Sequence, residues 1–221
     1  MFVKICGFTD PANLASVCQA NVRPDAVGLN FWPGSKRYVT PETGAEFANL
    51  AADAGIRRWG LFVDPSNEDL ERAAAVDLSA VQLHGDEPPD AFAQVAERRP
   101  VHEYVRAWRV ERSLDPLLDH LAAQPDACRA DYLLLDASVP GAYGGTGAKL
   151  DWHAVRDEMD RVGDRLPPVV LAGGLTPDNV VEAVRIVRPW GVDVAGGVER
   201  APGIKDPAKV AAFCENARGA L

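Results

Sequence analysis

The sequence has little of what marks several large classes of protein. Its 221 residues contain no apolar run that approaches the roughly 18 to 20 residues needed to span a bilayer. The first segment, MFVKICGFTD, lacks the cationic start and the apolar stretch of a secretory signal. We therefore expect a cytoplasmic protein with no membrane partner.

Cysteine pairs and basic residues are also scarce. The four cysteines, Cys6, Cys18, Cys128 and Cys214, form no CxxC pair, so the sequence suggests neither a zinc knuckle nor a redox dithiol. Lysine and arginine total 23 against 32 acidic residues, a net charge of -9, which argues against a nucleic acid as partner because phosphate binding needs a basic face. With 47% hydrophobic and 25% charged residues, the composition is that of an ordinary soluble globular protein.

The common nucleotide-binding motifs are absent as well. The segment Gly147-Ala148-Lys149-Leu150 places leucine where a P-loop needs serine or threonine after the lysine, so ATP or GTP hydrolysis is poorly supported. The Rossmann fingerprint does not occur. We expect no cofactor and no metal.

What the sequence does contain is an alternation of short apolar, β-branched segments with longer segments of helical spacing, repeated eight times. The predicted strands cover residues 2–6, 26–31, 58–63, 80–84, 101–110, 132–136, 169–172 and 191–195. The predicted helices cover about residues 11–21, 41–54, 67–76, 88–98, 114–123, 151–161, 177–187 and 207–218, with Asp10, Thr40, Ser66 and Thr176 as N-caps. Eight such units predict an α/β fold, a single (β/α)8 TIM barrel over residues 1–221, with an open doubly wound sheet as the alternative.

Polar residues interrupt one face of several predicted strands. Side chains alternate between the two faces of a strand, so Val3 and Ile5 face one way while Lys4 and Cys6 face the other. The same alternation separates polar from apolar positions in three more strands, whose polar members are Gln82, His84, Asp136 and Asp193. If the apolar face packs against the helices, these polar groups point into the barrel at the carboxyl ends of strands, where barrel enzymes carry out their chemistry.

Glycine-bearing turns follow predicted strands six, seven and eight. They contain Gly144, Gly145 and Gly147, then Gly173 and Gly174, then Ala195, Gly196 and Gly197. Such turns bring backbone N–H groups close to an anion, and barrels recurrently bind phosphate with the loops after strands seven and eight. The three turns together favour a phosphorylated small molecule as substrate, although any one of them alone could serve only to turn the chain.

Six ordered motifs resemble the phosphoribosylanthranilate isomerase family of tryptophan biosynthesis, from residue 3 to about 209. The motifs are Lys4-Ile5-Cys6-Gly7 with Thr9, residues 35–39, Val81-Gln82-Leu83-His84-Gly85, Asp136 with residues 144–147 and Asp151-Trp152, residues 171–175, and residues 191–194 with Gly197-Val198-Glu199. The resemblance implies a cofactor-free Amadori rearrangement of N-(5'-phosphoribosyl)anthranilate to 1-(2-carboxyphenylamino)-1-deoxyribulose 5-phosphate.

The resemblance also implies roles for individual residues. Asp136 matches the general acid that opens the ribose ring, and Cys6 matches the general base that takes the proton from C2'. Arg37 is expected to contact the anthranilate end of the substrate. The phosphate site maps to the glycine turns, which adds Gly144, Gly145, Gly147, Gly173, Gly174, Ala195 and Gly196 to the predicted binding residues.

Further expectations concern the surroundings of these residues and the assembly of the chain. Cys6 needs cationic surroundings that lower the pKa of its thiol, and Lys4, two residues away on the same face, is a candidate that could also pair with Asp193. Asp136 has to keep its proton until the ring opens. His84 and Asp193 are predicted binding residues for which a purely structural role stays open, and the chain is expected to be a monomer or homodimer.

The sequence departs from the family at two places. Ala195-Gly196 stands where the family usually has two serines, and Lys36 stands where proline is more frequent. One rival function is that of the sister sugar isomerase of histidine biosynthesis, which uses aspartate in place of Cys6. A second is indole-3-glycerol phosphate synthase, whose lysine and glutamate pair has no match here. A third is a phosphosugar-binding barrel without catalysis. A binding protein would need neither Cys6 nor Asp136, so we favour the isomerase.

Overall fold

The computed structural model describes residues 1–98, 103–110, 113–137 and 150–220. Eight parallel strands close into a barrel in sequence order, from β1 next to β2 round to β8 next to β1. The strands are β1 (Phe2–Cys6), β2 (Ala26–Asn30), β3 (Arg57–Phe62), β4 (Ala80–Leu83), β5 (Glu103–Val110), β6 (Tyr132–Ala137), β7 (Val169–Leu171) and β8 (Gly191–Val194). The predicted (β/α)8 barrel is therefore confirmed, and the open sheet is excluded.

The helices lie between the strands, as the alternation predicts. They are α1 (Pro11–Cys18), α2 (Pro41–Asp53), α3 (Asn67–Arg72), α4 (Ala91–Arg98), α5 (Asp115–Ala122), α6 (Trp152–Val162), α7 (Val180–Val187) and α8 (Pro207–Arg218). Asp10, Thr40 and Ser66 cap α1, α2 and α3 through their side chains, as predicted. No helix in the described ranges has the length and apolar character that crossing a membrane requires.

The predicted start of α7 is wrong. Thr176 does not cap it, because the Asn179 side chain accepts the Thr176 amide at 2.8 Å and donates to the Gly174 carbonyl at 3.0 Å. These bonds close a separate turn, so the helix begins only at Val180. A short antiparallel hairpin, β9 (Glu199–Ala201) with β10 (Ile204–Lys205), follows β8 and was not predicted from the sequence.

Two apolar layers result from the alternation along the strands. Val3, Ile5, Leu133 and Val192 belong to the outer layer, which packs between the barrel and the helices. The barrel interior is filled by a separate cluster, which consists of Ala26, Trp59, Ala80, Val105, Ala107, Leu134, Val170 and Ala172. The polar residues of the same strands therefore share the interior, as the sequence pattern predicts.

Aromatic rings close the amino-terminal end of the barrel. The Phe2 ring stacks on Trp59 at 5.4 Å and on Trp190 at 4.5 Å between ring centroids, and Tyr132 packs against Trp59 and Trp190. These rings fill this end of the interior, and the Arg57 guanidinium packs over two of them. Space for a substrate is therefore expected at the opposite end, where the strands finish and the polar side chains lie.

Candidate active site

Cys6 is the last residue of β1 and is buried beside β2. A side chain at Gly28 on β2 would bring its Cβ within 2.5 Å of the Cys6 sulfur, so glycine at this position leaves room for the thiol. Burial raises the pKa of the Cys6 thiol above its ordinary value, and the nearby cations Lys4, Lys205 and Arg37 offset this only in part. The predicted cationic surroundings of Cys6 are present and each cation lowers the pKa of the thiol, but burial together with the Asp193 carboxylate outweighs them.

Lys4 lies one layer deeper in the barrel than Cys6 and is fully buried. Its ammonium donates to the Asp193 carboxylate on β8 at 3.0 Å, which confirms the pairing predicted from the strand alternation. The ammonium also lies 5.5 Å from the centre of the Trp59 ring. Burial lowers the pKa of Lys4, but Asp193 and Cys6 outweigh that effect and the pKa is raised. Lys4 is thus a permanent cation directly below the thiol.

Asp136 lies near the end of β6 and is buried beside the side chain of His84, which follows β4. The distance from His84 Nε2 to Asp136 Oδ2 is 3.4 Å. On its other side, His84 Nδ1 lies 2.8 Å from the Gln82 side-chain nitrogen. With that amide donating, Nδ1 accepts, and a neutral ring then carries its hydrogen on Nε2, which makes no hydrogen bond within the described residues. The polar groups predicted on β4 and β6 therefore form one chain of contacts across the interior.

The turns after β7 and β8 lie between Asp136 and Cys6. In the closed order of the barrel, β7 and β8 separate β6 from β1. Gly173 and Gly174 follow β7 with φ of 83° and 67°, a conformation that side chains disfavour. Ala195 and Gly196 follow β8, where the 3-10 turn Gly196–Val198 begins and its first amide groups have no partner within the turn. Gly144, Gly145 and Gly147 lie outside the described residues.

Arg37, on the loop after β2, is held by a residue that the sequence analysis did not assign to the site. Its guanidinium forms a fork with Glu199, from Nε to Oε1 and from Nη2 to Oε2, both at 2.7 Å. Lys205 is a second missed residue: fully buried, it donates to Glu199 at 2.7 Å and to the Ala195 carbonyl at 3.1 Å. The one sequence signal for Glu199 was its place in the last family motif.

Metal ligands are not grouped in the described ranges. No cluster of three or more histidine, cysteine, aspartate or glutamate side chains there could hold a metal ion. The titratable groups at the barrel mouth instead occur in pairs with a cation or an amide, as for Lys4 with Asp193 and Gln82 with His84. The arrangement places a thiol, a carboxyl group and two glycine-bearing turns at the carboxyl ends of β1, β6, β7 and β8.

Comparison with known proteins gives a consistent result. Residues 3–216 match the family model described as N-(5'phosphoribosyl)anthranilate (PRA) isomerase. The chain is 42% identical to the N-(5'-phosphoribosyl)anthranilate isomerase of Trichlorobacter lovleyi over 99% of its own length and 98% of that protein. It is also 42% identical to the enzyme of the same name from Chromohalobacter salexigens, over 96% of this chain and 91% of that one.

Solved structures agree with the sequence relatives. A phosphoribosyl anthranilate isomerase in complex with reduced 1-(o-carboxyphenylamino)-1-deoxyribulose 5-phosphate is 35% identical, with a TM-score of 0.76 and 99% of each chain covered. The Thermotoga maritima isomerase is 35% identical with a TM-score of 0.78 over 99% of each chain. A further structure from that organism is described as monomers generated from a dimeric isomerase.

Proposed function

The chain belongs to the N-(5'-phosphoribosyl)anthranilate isomerase family, the isomerases of tryptophan biosynthesis, and on that premise we propose that it converts N-(5'-phosphoribosyl)anthranilate into 1-(2-carboxyphenylamino)-1-deoxyribulose 5-phosphate. The observation that carries the proposal is the order of the barrel. Cys6 and Asp136 lie at the carboxyl ends of β1 and β6, and the glycine turns of β7 and β8 lie between them. A pentose phosphate bound at those turns has an acid on one side and a base on the other.

In this proposal the reaction moves protons and rearranges bonds without any net gain or loss of atoms. Asp136 gives its proton to the ribose ring oxygen, the bond from C1' to that oxygen breaks, and a Schiff base forms between C1' and the anthranilate nitrogen. The Cys6 thiolate then takes the proton from C2', which leaves an enolamine. Tautomerisation of the enolamine yields the ketone, and no cofactor takes part.

The surroundings of the two groups support these roles. After proton transfer Asp136 is a carboxylate, and the Nε2–H of His84, 3.4 Å away, would stabilise that charge. Cys6 has to lose its proton before it can act, and the pKa of its thiol is raised by burial in the free protein. The cationic Schiff base produced by ring opening favours the thiolate beside it, so the base becomes effective when it is needed.

The two ends of the substrate are bound, in this proposal, by different parts of the rim. The amides of Gly173, Gly174, Ala195 and Gly196 bind the phosphate, and because alanine and glycine replace the family's serines, no hydroxyl at 195 or 196 assists them. Arg37 binds the anthranilate carboxylate, with Glu199 already holding one edge of its guanidinium. Gly144, Gly145 and Gly147, outside the described residues, remain predicted phosphate contacts.

The proposal is tested by a turnover assay that follows the loss of substrate fluorescence. Cys6→Ala and Asp136→Asn should each lower kcat by at least about 100-fold, because each removes one proton-transfer group. Cys18→Ala is the matched control: Cys18 is also buried, on α1, and this variant should keep the wild-type kcat. Circular dichroism checks that each variant is folded. Turnover close to wild type in Cys6→Ala or Asp136→Asn would refute the role given to that residue.

A further inference from the structure

Glu199, the first residue of β9, has no part in the proton transfers and yet has more charged partners than any step of the proposed reaction explains. Its carboxylate accepts the fork from Arg37, an amide hydrogen bond from Gly203 at 3.0 Å and the ammonium of Lys205 at 2.7 Å. The Glu199 side chain is only 8% exposed and that of Lys205 is 0% exposed. Three charged groups are therefore withdrawn from water at one point of the rim.

This cluster carries one positive charge in excess. Arg37 and Lys205 contribute two cations and Glu199 contributes one anion, although burial lowers the pKa of Lys205 because Glu199 offsets the desolvation only in part. Burial acts to raise the pKa of Glu199, but the bonds from Arg37 and Lys205 outweigh it and the pKa is lowered, so the carboxylate stays charged. A second carboxylate would balance the charge of the cluster. Under the proposed function the substrate brings one.

The two hydrogen bonds to Glu199 also determine which edge of the Arg37 guanidinium can bind a ligand. Glu199 occupies the edge formed by Nε and Nη2, so the edge formed by Nη1 and the second hydrogen of Nη2 is the one that can receive another carboxylate. The Arg37 side chain crosses Gly7 so closely that a Cβ at residue 7 would collide with its Cδ. On the other side, a Cβ at Gly196 would lie 3.3 Å from Nη2. Arg37 is thus confined between the β1 and β8 ends of the rim.

Lys205 extends the cluster to the phosphate side of the rim. Its ammonium bridges Glu199 and the carbonyl of Ala195, whose neighbour Gly196 is a proposed phosphate contact. Buried ion pairs of this kind contribute little net stability, since desolvation of the charges offsets their attraction. What such a cluster does supply is a defined geometry, because two cations that share one carboxylate have few alternative arrangements.

We propose that Glu199 is a positioning residue for substrate recognition: it orients Arg37 toward the anthranilate carboxylate and, through Lys205, aligns the main chain at Ala195 on the phosphate side. The inference rests on the proposed function, which assigns that carboxylate to Arg37. One buried carboxylate then controls the geometry at both ends of the substrate, with the stronger effect at the carboxylate end, where the contact to Arg37 is direct.

The test compares two ligands by calorimetry: the reduced product analogue, and the same compound without the carboxyl group on its ring. The ratio of their Kd values measures recognition of the carboxylate alone. The wild type should prefer the carboxylated analogue, and Arg37→Ala should lose most of that preference. Glu199→Gln should reduce the preference about 10-fold. The NH2 group of the new amide is a donor that would face the donors of Arg37 or Lys205, so one of these hydrogen bonds is lost. Glu199→Asp keeps the charge and should fall between wild type and Glu199→Gln.

Glu158→Gln serves as the matched control. Glu158 also pairs with an arginine, Arg161, but on α6 outside the barrel, where its partly buried carboxylate also accepts the Leu114 amide, and its substitution should leave the ratio unchanged. If Glu199→Gln does not fold, Glu199→Asp carries the test alone. A wild-type ratio in the Glu199 variants together with a lost preference in Arg37→Ala would overturn the inference and leave the proposed role of Arg37 intact. A preference kept in Arg37→Ala would instead refute that proposed role.

Discussion

The Lys4 ammonium and the Asp193 carboxylate meet at 3.0 Å inside the barrel, joining β1 to β8 one layer below the thiol of Cys6. The two residues are directly opposite each other in the register of these strands. The pair is therefore built into the strand alignment and needs no loop to form. Because of its position, the pair should affect both the stability of the protein and the ionisation of Cys6.

Lys4→Met should destabilise the protein by about 3 to 5 kcal/mol, because it leaves Asp193 as a buried charge without its cation. The measurement is the free energy of unfolding in urea. Lys4→Met combined with Asp193→Leu should recover much of the loss, since the pair is then replaced by apolar groups. Lys36→Met, on an exposed loop, should change stability by less than about 0.5 kcal/mol. Wild-type stability in Lys4→Met would mean that the pair has no such role.

The activity should rise with pH because the pKa of Cys6 is raised by burial, which its cationic neighbours offset only in part. Only the thiolate acts as base, so a higher pKa leaves less active enzyme at neutral pH. The logarithm of kcat/KM should increase with a slope of one and reach its midpoint above the ordinary thiol value of about 8.5. The ultraviolet absorbance of the thiolate, taken as wild type minus Cys6→Ala, should titrate at the same midpoint.

Lys4→Met extends this pH prediction if the variant folds. Lys4 lowers the pKa of Cys6, so its removal should move the midpoint of kcat/KM further toward alkaline pH. A profile that is flat above neutral pH in the wild type would contradict the assignment of Cys6 as the base. A midpoint that stays in place in Lys4→Met would show that Lys4 is too well screened to affect the thiol.

Gly28→Ala should lower kcat while the barrel stays folded. The new methyl group would lie 2.5 Å from the Cys6 sulfur, so the thiol has to move away from its place beside β2. Displacement of a proton-transfer group by about 1 Å is enough to reduce turnover by about 100-fold. Gly219→Ala, at the end of α8 and with an ordinary helical φ, is the control that tests for a general effect of added Cβ atoms. An unchanged kcat in Gly28→Ala would show that the sulfur position is not critical.

The interior polar residues could be predicted from the sequence because strands alternate strictly. Once Val3 and Ile5 are assigned to the helix-facing layer, Lys4 and Cys6 have to face the interior, and the same step places Asp193 opposite Lys4. The family motifs then predict which of these groups carry chemistry. This part of the site depends on local periodicity and on the closed barrel order.

Other parts of the site depend on contacts that no local pattern encodes. Glu199 meets Arg37, 162 positions away in the chain, only because the hairpin after β8 packs against the segment that follows β1, where the Thr9 amide donates to the Gly203 carbonyl at 3.0 Å. Lys205 joins the pair through Glu199. The direction of the Cys6 pKa shift depends on how much water is excluded, and charge signs in the sequence do not give that balance. The late start of α7 similarly depends on the Asn179 side chain, which accepts the Thr176 amide and donates to the Gly174 carbonyl.

The last prediction concerns His84, whose Nε2 lies 3.4 Å from Asp136 Oδ2 while Gln82 holds its other nitrogen. His84→Ala removes the donor that would stabilise the Asp136 carboxylate after proton transfer, so kcat should fall about 10-fold, with a smaller change in KM. His84→Gln keeps an N–H donor near Asp136 and should retain more activity than His84→Ala. Gln82→Leu removes the partner that fixes the ring and should give an intermediate loss. If His84→Ala raises KM and leaves kcat unchanged, His84 contacts the substrate instead of supporting Asp136.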